Sequence, residues 1–158
     1  MIERFSAVFA IFLMLFFVGC EKKVVDDSPK KVHWDRDMCQ RCKMVLSDRD
    51  FAVEIIEPKT KKAYYFDDIG CAILWLKEEK IPWAKSAKIW VRDGKSKKWI
   101  DAKSAKYVDD AVTPMAYGFK AYTKENFPKD KKMIDFEKMS QKIEEIERKN
   151  SQARRLLN

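Results

Sequence analysis

The chain opens on an unbroken apolar run, Phe5 to Val18, preceded by Met1-Ile2-Glu3-Arg4 and closed by Gly19-Cys20. A charged start, an apolar stretch and a small residue before a cut site are the parts of a secretory signal. The run is shorter than the ~20 residues that a membrane-spanning helix needs. From residue 21 to about 35 there is little periodic apolar content; Lys, Asp, Ser28 and Pro29 read as a flexible tether. Alternation then begins, with Phe51, Val53 and Ile55 on one side of a strand over 51–57. Pro58-Lys59-Thr60-Lys61 marks a turn, and Ala63 to Phe66 the return strand of a hairpin. Asp67-Asp68 is a helix start, after which Ile69, Ala72, Ile73 and Leu76 recur at helical spacing until Pro82 closes the segment.

The second half is cut into shorter pieces. Strands are expected over 88–92 and 98–101 around a turn at Asp93-Gly94, with 106–108 continuing the sheet and a further strand over 118–122. A short helix is expected from Thr123 to about Lys129, with Pro128 awkward in it, and a last strand over 133–136. From Glu137 onward Met139, Ile143 and Ile146 repeat at helical spacing in a strongly charged segment. The pattern predicts a small α+β domain, a mainly antiparallel sheet with its helices segregated. The expected organisation is a signal over 1–19, a tether over 20–35, a domain over 36–137 and an amphipathic, charged helix over 138–158.

Length changes this picture little, since 158 residues hold one domain of this kind. The net charge of +8 raises nucleic acid or anionic lipid as partners. The lysines are spread along the chain without an arginine-rich run, and an exported protein rarely meets nucleic acid, so none is expected. Attraction to anionic head groups and a merely well-solvated surface both fit. Phe17-Val18-Gly19-Cys20 resembles a bacterial lipobox, which implies that Cys20 is acylated and becomes the first mature residue. The expected place is then the bacterial cell envelope, facing the periplasm from the inner or outer membrane; an uncleaved anchor is the alternative. Lipidation of Cys20 leaves three cysteines, Cys39, Cys42 and Cys71, an odd number for a pure disulfide framework. The sole histidine, His33, lies in the tether, so there is no nucleophile–base pair of the Ser-His kind.

The chemistry concentrates in Met38-Cys39-Gln40-Arg41-Cys42-Lys43-Met44. Two thiols three apart can point at one ion, and Met44 adds a thioether; thiolate and thioether together favour a soft ion, Cu(I) above all. Met38 and His33 are nearby candidates for remaining positions, and Cys71 sits just inside the expected helix. A Cys-x-x-Cys pair alone is equally a redox pair or half a zinc site, and an apolar setting makes Cys71 and any methionine ordinary core residues. A thiol–disulfide oxidoreductase using Cys39 and Cys42, and a structural zinc domain using Cys39, Cys42, Cys71 and His33, therefore remain open beside copper.

At these residues the chain resembles the NosL family, lipoproteins that assist assembly of the copper centre in nitrous oxide reductase. The family pairs a lipobox with a loop like Cys-x-x-Cys-Gly-Met, here Cys39 to Met44 with Lys43 in place of the glycine. Tyr65-Phe66-Asp67-Asp68-Ile69-Gly70-Cys71 resembles its aromatic-Asp-Asp-hydrophobic-Gly segment. Thr113-Pro114-Met115-Ala116-Tyr117-Gly118-Phe119-Lys120-Ala121-Tyr122 resembles its Pro-Met-x-x-Gly-Phe-x-Ala-aromatic segment. The resemblance implies two ββαβ-like halves, and Cu(I) held by Cys42 and Met44 with Cys39 as a third sulfur. It implies a further thioether candidate in Met115. It also implies a non-enzymatic role, delivery of copper to an exported apo-enzyme, nitrous oxide reductase.

Overall fold

The computed structural model describes residues 26–157; the expected signal, Cys20 and the start of the tether lie outside the described residues. Strands β1 (Val53–Ile56), β2 (Ala63–Phe66), β3 (Lys88–Arg92) and β4 (Trp99–Asp101) form one antiparallel sheet in the order β2-β1-β3-β4. The register sets Val53 opposite Phe66 and Val91, and Ile55 opposite Tyr64 and Ile89, so these six side chains share one face. Against that face lies helix α1 (Ile69–Glu78), buried at every position from Ile69 to Leu76. The expected apolar stripe covers only part of this helix. Its remaining sides are closed by helix α2 (Phe136–Leu156) and by an aromatic cluster in which Tyr64, Phe66 and Trp83 surround Trp75.

The fold is thus the expected small α+β domain with a mainly antiparallel sheet and a C-terminal helix. The ββαβ order implied for each half is seen in the first (β1-β2-α1-β3). In the second, β4 joins the first sheet, while β5 (Lys106–Val108) pairs with β6 (Lys120–Tyr122) in a separate two-stranded ladder. Residues 106–108 therefore do not continue the first sheet. The expected helix over 123–129 is a set of turns: the Asp93 carboxylate takes the Thr123 N–H at 2.7 Å and the Asn126 side-chain amide at 3.0 Å, and Pro128 supplies no N–H to a helix. The strand expected over 133–136 shrinks to one bridge between Ile134 and Tyr107, because the next residue, Asp135, already caps α2 through the Lys138 N–H. That helix is part of the core rather than an appendage beyond residue 137, since Met139 and Ile143 are fully buried.

A second correction concerns the tether. Residues 27–32 lie on the other face of the sheet. The Lys30 N–H meets both oxygens of buried Glu54 at 2.9 and 3.0 Å, and Trp90 Nε1 donates to the Asp27 carbonyl at 2.7 Å. The Tyr65 hydroxyl donates to the Lys31 carbonyl, Lys61 pairs with Asp27, and Val32 is buried. Most of these contacts use main-chain groups, which leave no trace in hydrophobic periodicity.

Two outcomes follow. Burial pushes the Glu54 carboxyl up to about 7, the Lys30 amide opposing the rise only in part. An acid with a raised folded-state value stabilises fully below its unfolded value of 4.5, and that contribution drains away as pH climbs through 7. Urea unfolding should therefore show wild type losing up to ~2 kcal/mol relative to Glu54→Gln between pH 5 and 7; parallel curves would refute the burial. A Cβ on Gly70, in the first turn of α1, would overlap the Tyr117 ring. Gly70→Ala should cost about 1–3 kcal/mol by overpacking despite alanine's better helix propensity. A more stable variant would show that Tyr117 does not seat there.

Candidate metal centre

The loop carrying Cys39 and Cys42 is closed on itself. The Cys39 N–H donates to the Met44 carbonyl at 2.8 Å, the Lys43 N–H returns to the Cys39 carbonyl at 3.0 Å, and Met38 and Val45 form a bridge beneath. The turn passes through Lys43 at φ 62°, the left-handed region that suits glycine. That is the position at which the resembled motif has Gly, and the backbone supplies the physical reason. The loop is moored to the sheet by the Gln40 N–H, which bonds the Tyr65 carbonyl at 2.8 Å.

This mooring brings the loop to the start of α1. One ligand atom each from Cys39, Cys42, Asp67 and Cys71 lies within 4.8 Å of the others. Asp68 is the N-cap, its carboxylate accepting the Gly70 N–H at 2.8 Å. Its neighbour Asp67 is left to face the thiols, and Cys42 Sγ donates to its carboxylate at 3.4 and 3.5 Å. Cys71 lies in the first turn of α1, where unpaired helix amides favour negative charge. All three cysteines are free thiols, Cys39 and Cys71 buried and Cys42 half-buried.

The thiols share protons unequally. The Cys71 S–H, then the amides of Cys42 and Asp67, stabilise the Cys39 thiolate and hold it down at about 6 against the cost of burial. Burial, with the neighbouring Cys39 and Asp67 charges, pushes Cys42 up to about 12, although the Met44 amide points at its sulfur. Cys71 is raised as well, first because its proton is committed to Cys39 and then by burial. The metal-free site thus presents one thiolate and two thiols. A thiophilic cation would displace the remaining two protons.

Cys39, Cys42 and Cys71 are brought together as candidate ligands, and Asp67 joins them unforeseen. The signal for it was present: two aspartates precede the helix where a cap needs one. Met44 and Met38, at 51% and 52% exposure, lie on the same loop as Cys39 and Cys42. His33 turns its imidazole to Asp37 and is not among the gathered ligands. Met115 packs against the core, and its N–H bonds Asp68 at 3.2 Å.

The three segments singled out in the sequence meet here. Asp68 accepts the Thr113 hydroxyl at 2.6 Å as well as the Met115 amide, tying the second segment to the third. Arg41, between the two loop cysteines, donates to Glu78 at 2.8 and 2.9 Å and to the Tyr117 hydroxyl at 3.0 Å, tying the first to the third. Tyr117 donates onward to Glu147 of α2 at 2.9 Å. No protein-family model matches the chain, and no curated protein gives a significant match.

Ultraviolet thiolate absorption of the reduced, metal-free protein should rise with a midpoint near pH 6 for a single cysteine. That step should vanish in Cys39→Ser and move to higher pH in Cys71→Ala, which removes the S–H donor. Three thiols titrating together near 9 would contradict the arrangement.

Proposed function

We propose that this chain is a membrane-held Cu(I) carrier of the bacterial cell envelope. It would be anchored through Cys20, take the ion at Cys39, Cys42 and Cys71, and pass it to an exported copper enzyme. The observation that carries the reading is the convergence of three free thiols on a site whose one half-buried sulfur, Cys42, is flanked in the loop by exposed Met38 and Met44. Three thiolates suit Cu(I). Methionine is ordinarily core filler, and two exposed thioethers on such a loop supply weak soft ligands along an entry and exit path. Nitrous oxide reductase is proposed as the client on the resemblance of the three segments to NosL.

Asp67 favours a second reading, a zinc site of three sulfurs and one oxygen, because a carboxylate is a good fourth ligand for zinc and a poor one for Cu(I). Against a purely structural zinc, the domain has a continuous apolar core from Val32 to Ile143. Structural zinc sites typically stand in for a core that a small domain lacks. A disulfide-exchange enzyme is disfavoured by access: the one activated thiolate, Cys39, is fully buried.

The deciding experiment is a Cu(I) titration of the reduced full chain in detergent against a competing chelator, with zinc as rival. Cu(I) should outlast excess zinc, bind more weakly as pH falls, and lose at least about a hundredfold in affinity in Cys42→Ser, in line with the loss of one strong ligand. Met44→Leu should slow transfer to an acceptor more than it weakens binding. Zinc prevailing, with Asp67→Asn abolishing its advantage, would replace the copper reading with the zinc one.

A further inference from the structure

The path of the N-terminal segment gives the domain a direction. From the metal loop, residues 32 to 27 cross the second face of the sheet from β2 over β1 to β3: Asp35 bonds Leu46, and then Lys31, Lys30 and Asp27 meet Tyr65, Glu54 and Trp90, which are register partners, while the Asp27 carboxylate reaches Lys61 in the β1–β2 turn. The metal ligands follow the C-terminal end of β2, at Asp67, whereas Asp27 pairs with the turn before its N-terminal end. Asp27 is therefore drawn to the turn side of the sheet, and the metal ligands lie past the other end of β2.

The end of the sheet at that turn is basic. The β1–β2 turn contributes Lys59, Lys61 and Lys62. Lys88 opens β3 opposite Ile56 at the same end, preceded by Lys85, and Lys103 donates to the carbonyls of Lys85 and Ala87 at 2.8 Å. The carboxylates among them are Asp26, Asp27, Glu57 and Asp101, of which Asp26 is paired with Lys30, Asp27 with Lys61 and Asp101 with Lys88. Glu79 and Lys80, at the adjoining end of α1, offset each other. Lys59, Lys62, Lys85 and Lys103 are exposed. Trp83, partly exposed among them, stacks on Tyr64 at 5.9 Å, and Lys62 covers the Tyr64 ring at 4.8 Å. Lysines ringing a tryptophan suit the head-group layer of an anionic bilayer.

We propose that this lysine-rich end of the sheet rests on an anionic membrane surface, so that the Cys39–Cys42 mouth faces away from the lipid toward a soluble acceptor. The inference rests on Cys20 being the anchor. Five residues then separate it from Asp26, a reach of at most ~20 Å even fully extended. A leash that short keeps the nearest end of the domain at the head groups, and that end is the one with matching charge.

The test is amide hydrogen exchange on the full chain in vesicles of neutral phosphatidylcholine, with and without a third of phosphatidylglycerol. Anionic lipid should slow exchange several-fold over 57–62 and 83–88, leave 38–46 unchanged, and lose its effect in high salt, where charges on the surface are screened. Lys59→Glu, Lys62→Glu and Lys85→Glu together should abolish the protection, at up to about fivefold in surface affinity per lysine. Equal exchange in both vesicles, or protection of 38–46 instead, would overturn the proposal. The mass of the N-terminal peptide separates this from failure of the anchor reading: an acylated Cys20 without lipid-dependent protection sinks the orientation alone. An unmodified Cys20 sinks the leash argument and the orientation with it.

Discussion

The buried carboxylate of Asp68 is the junction on which the site depends. One of its oxygens receives the Gly70 amide and starts α1; the other receives the Thr113 hydroxyl and the Met115 amide from a loop more than forty residues away. Burial raises its pKa, the three donors opposing, so it is held by hydrogen bonds rather than by an ion pair. Fixing the first turn of α1 places Cys71. Fixing the 113–118 loop places Tyr117, whose ring sits on Gly70 and whose hydroxyl receives Arg41. The cysteine loop is then held from both sides. Buried, fully satisfied polar groups of this kind favour one arrangement of the chain over its neighbours, since each partner lost leaves an uncompensated charge or dipole.

The consequence for chemistry is that sulfurs from two elements, a loop turned through Lys43 and a helix start, are gathered at one place, with Cys42 half-buried. A soft cation would find two protons to displace and one thiolate ready. The thioethers outside would offer weaker holds on the way in or out. Asp67 is the ambiguous member: toward zinc it is a ligand, toward Cu(I) a proton acceptor for Cys42.

The same economy governs the rest of the molecule. The segment before residue 33 covers the second face of the sheet. Glu54, beneath it, is buried at a position where strand alternation alone would place it in water, and the main-chain amide of Lys30 is what makes that tolerable.

Local patterns in the sequence determined the β1–β2 hairpin, the start of α1 at Asp68, the turn at Asp93 and the helical spacing of Met139, Ile143 and Ile146. Each rests on contacts between near neighbours, or on periodicity that one element displays by itself. The Cys39–Cys42 loop was legible for the same reason, whereas the left-handed conformation of Lys43 was seen only in the structure. Tertiary structure alone decided that Cys71 and Asp67 join those thiols while His33 turns to Asp37. It also decided that residues 27–32 pack on the sheet and that 123–129 turn rather than coil. These outcomes depend on main-chain hydrogen bonds and side-chain partners from distant segments, such as Lys30 to Glu54, Asp93 to Thr123, and Cys39 to Cys71. Spacing along one stretch of chain carries no record of what a remote stretch will bring to it.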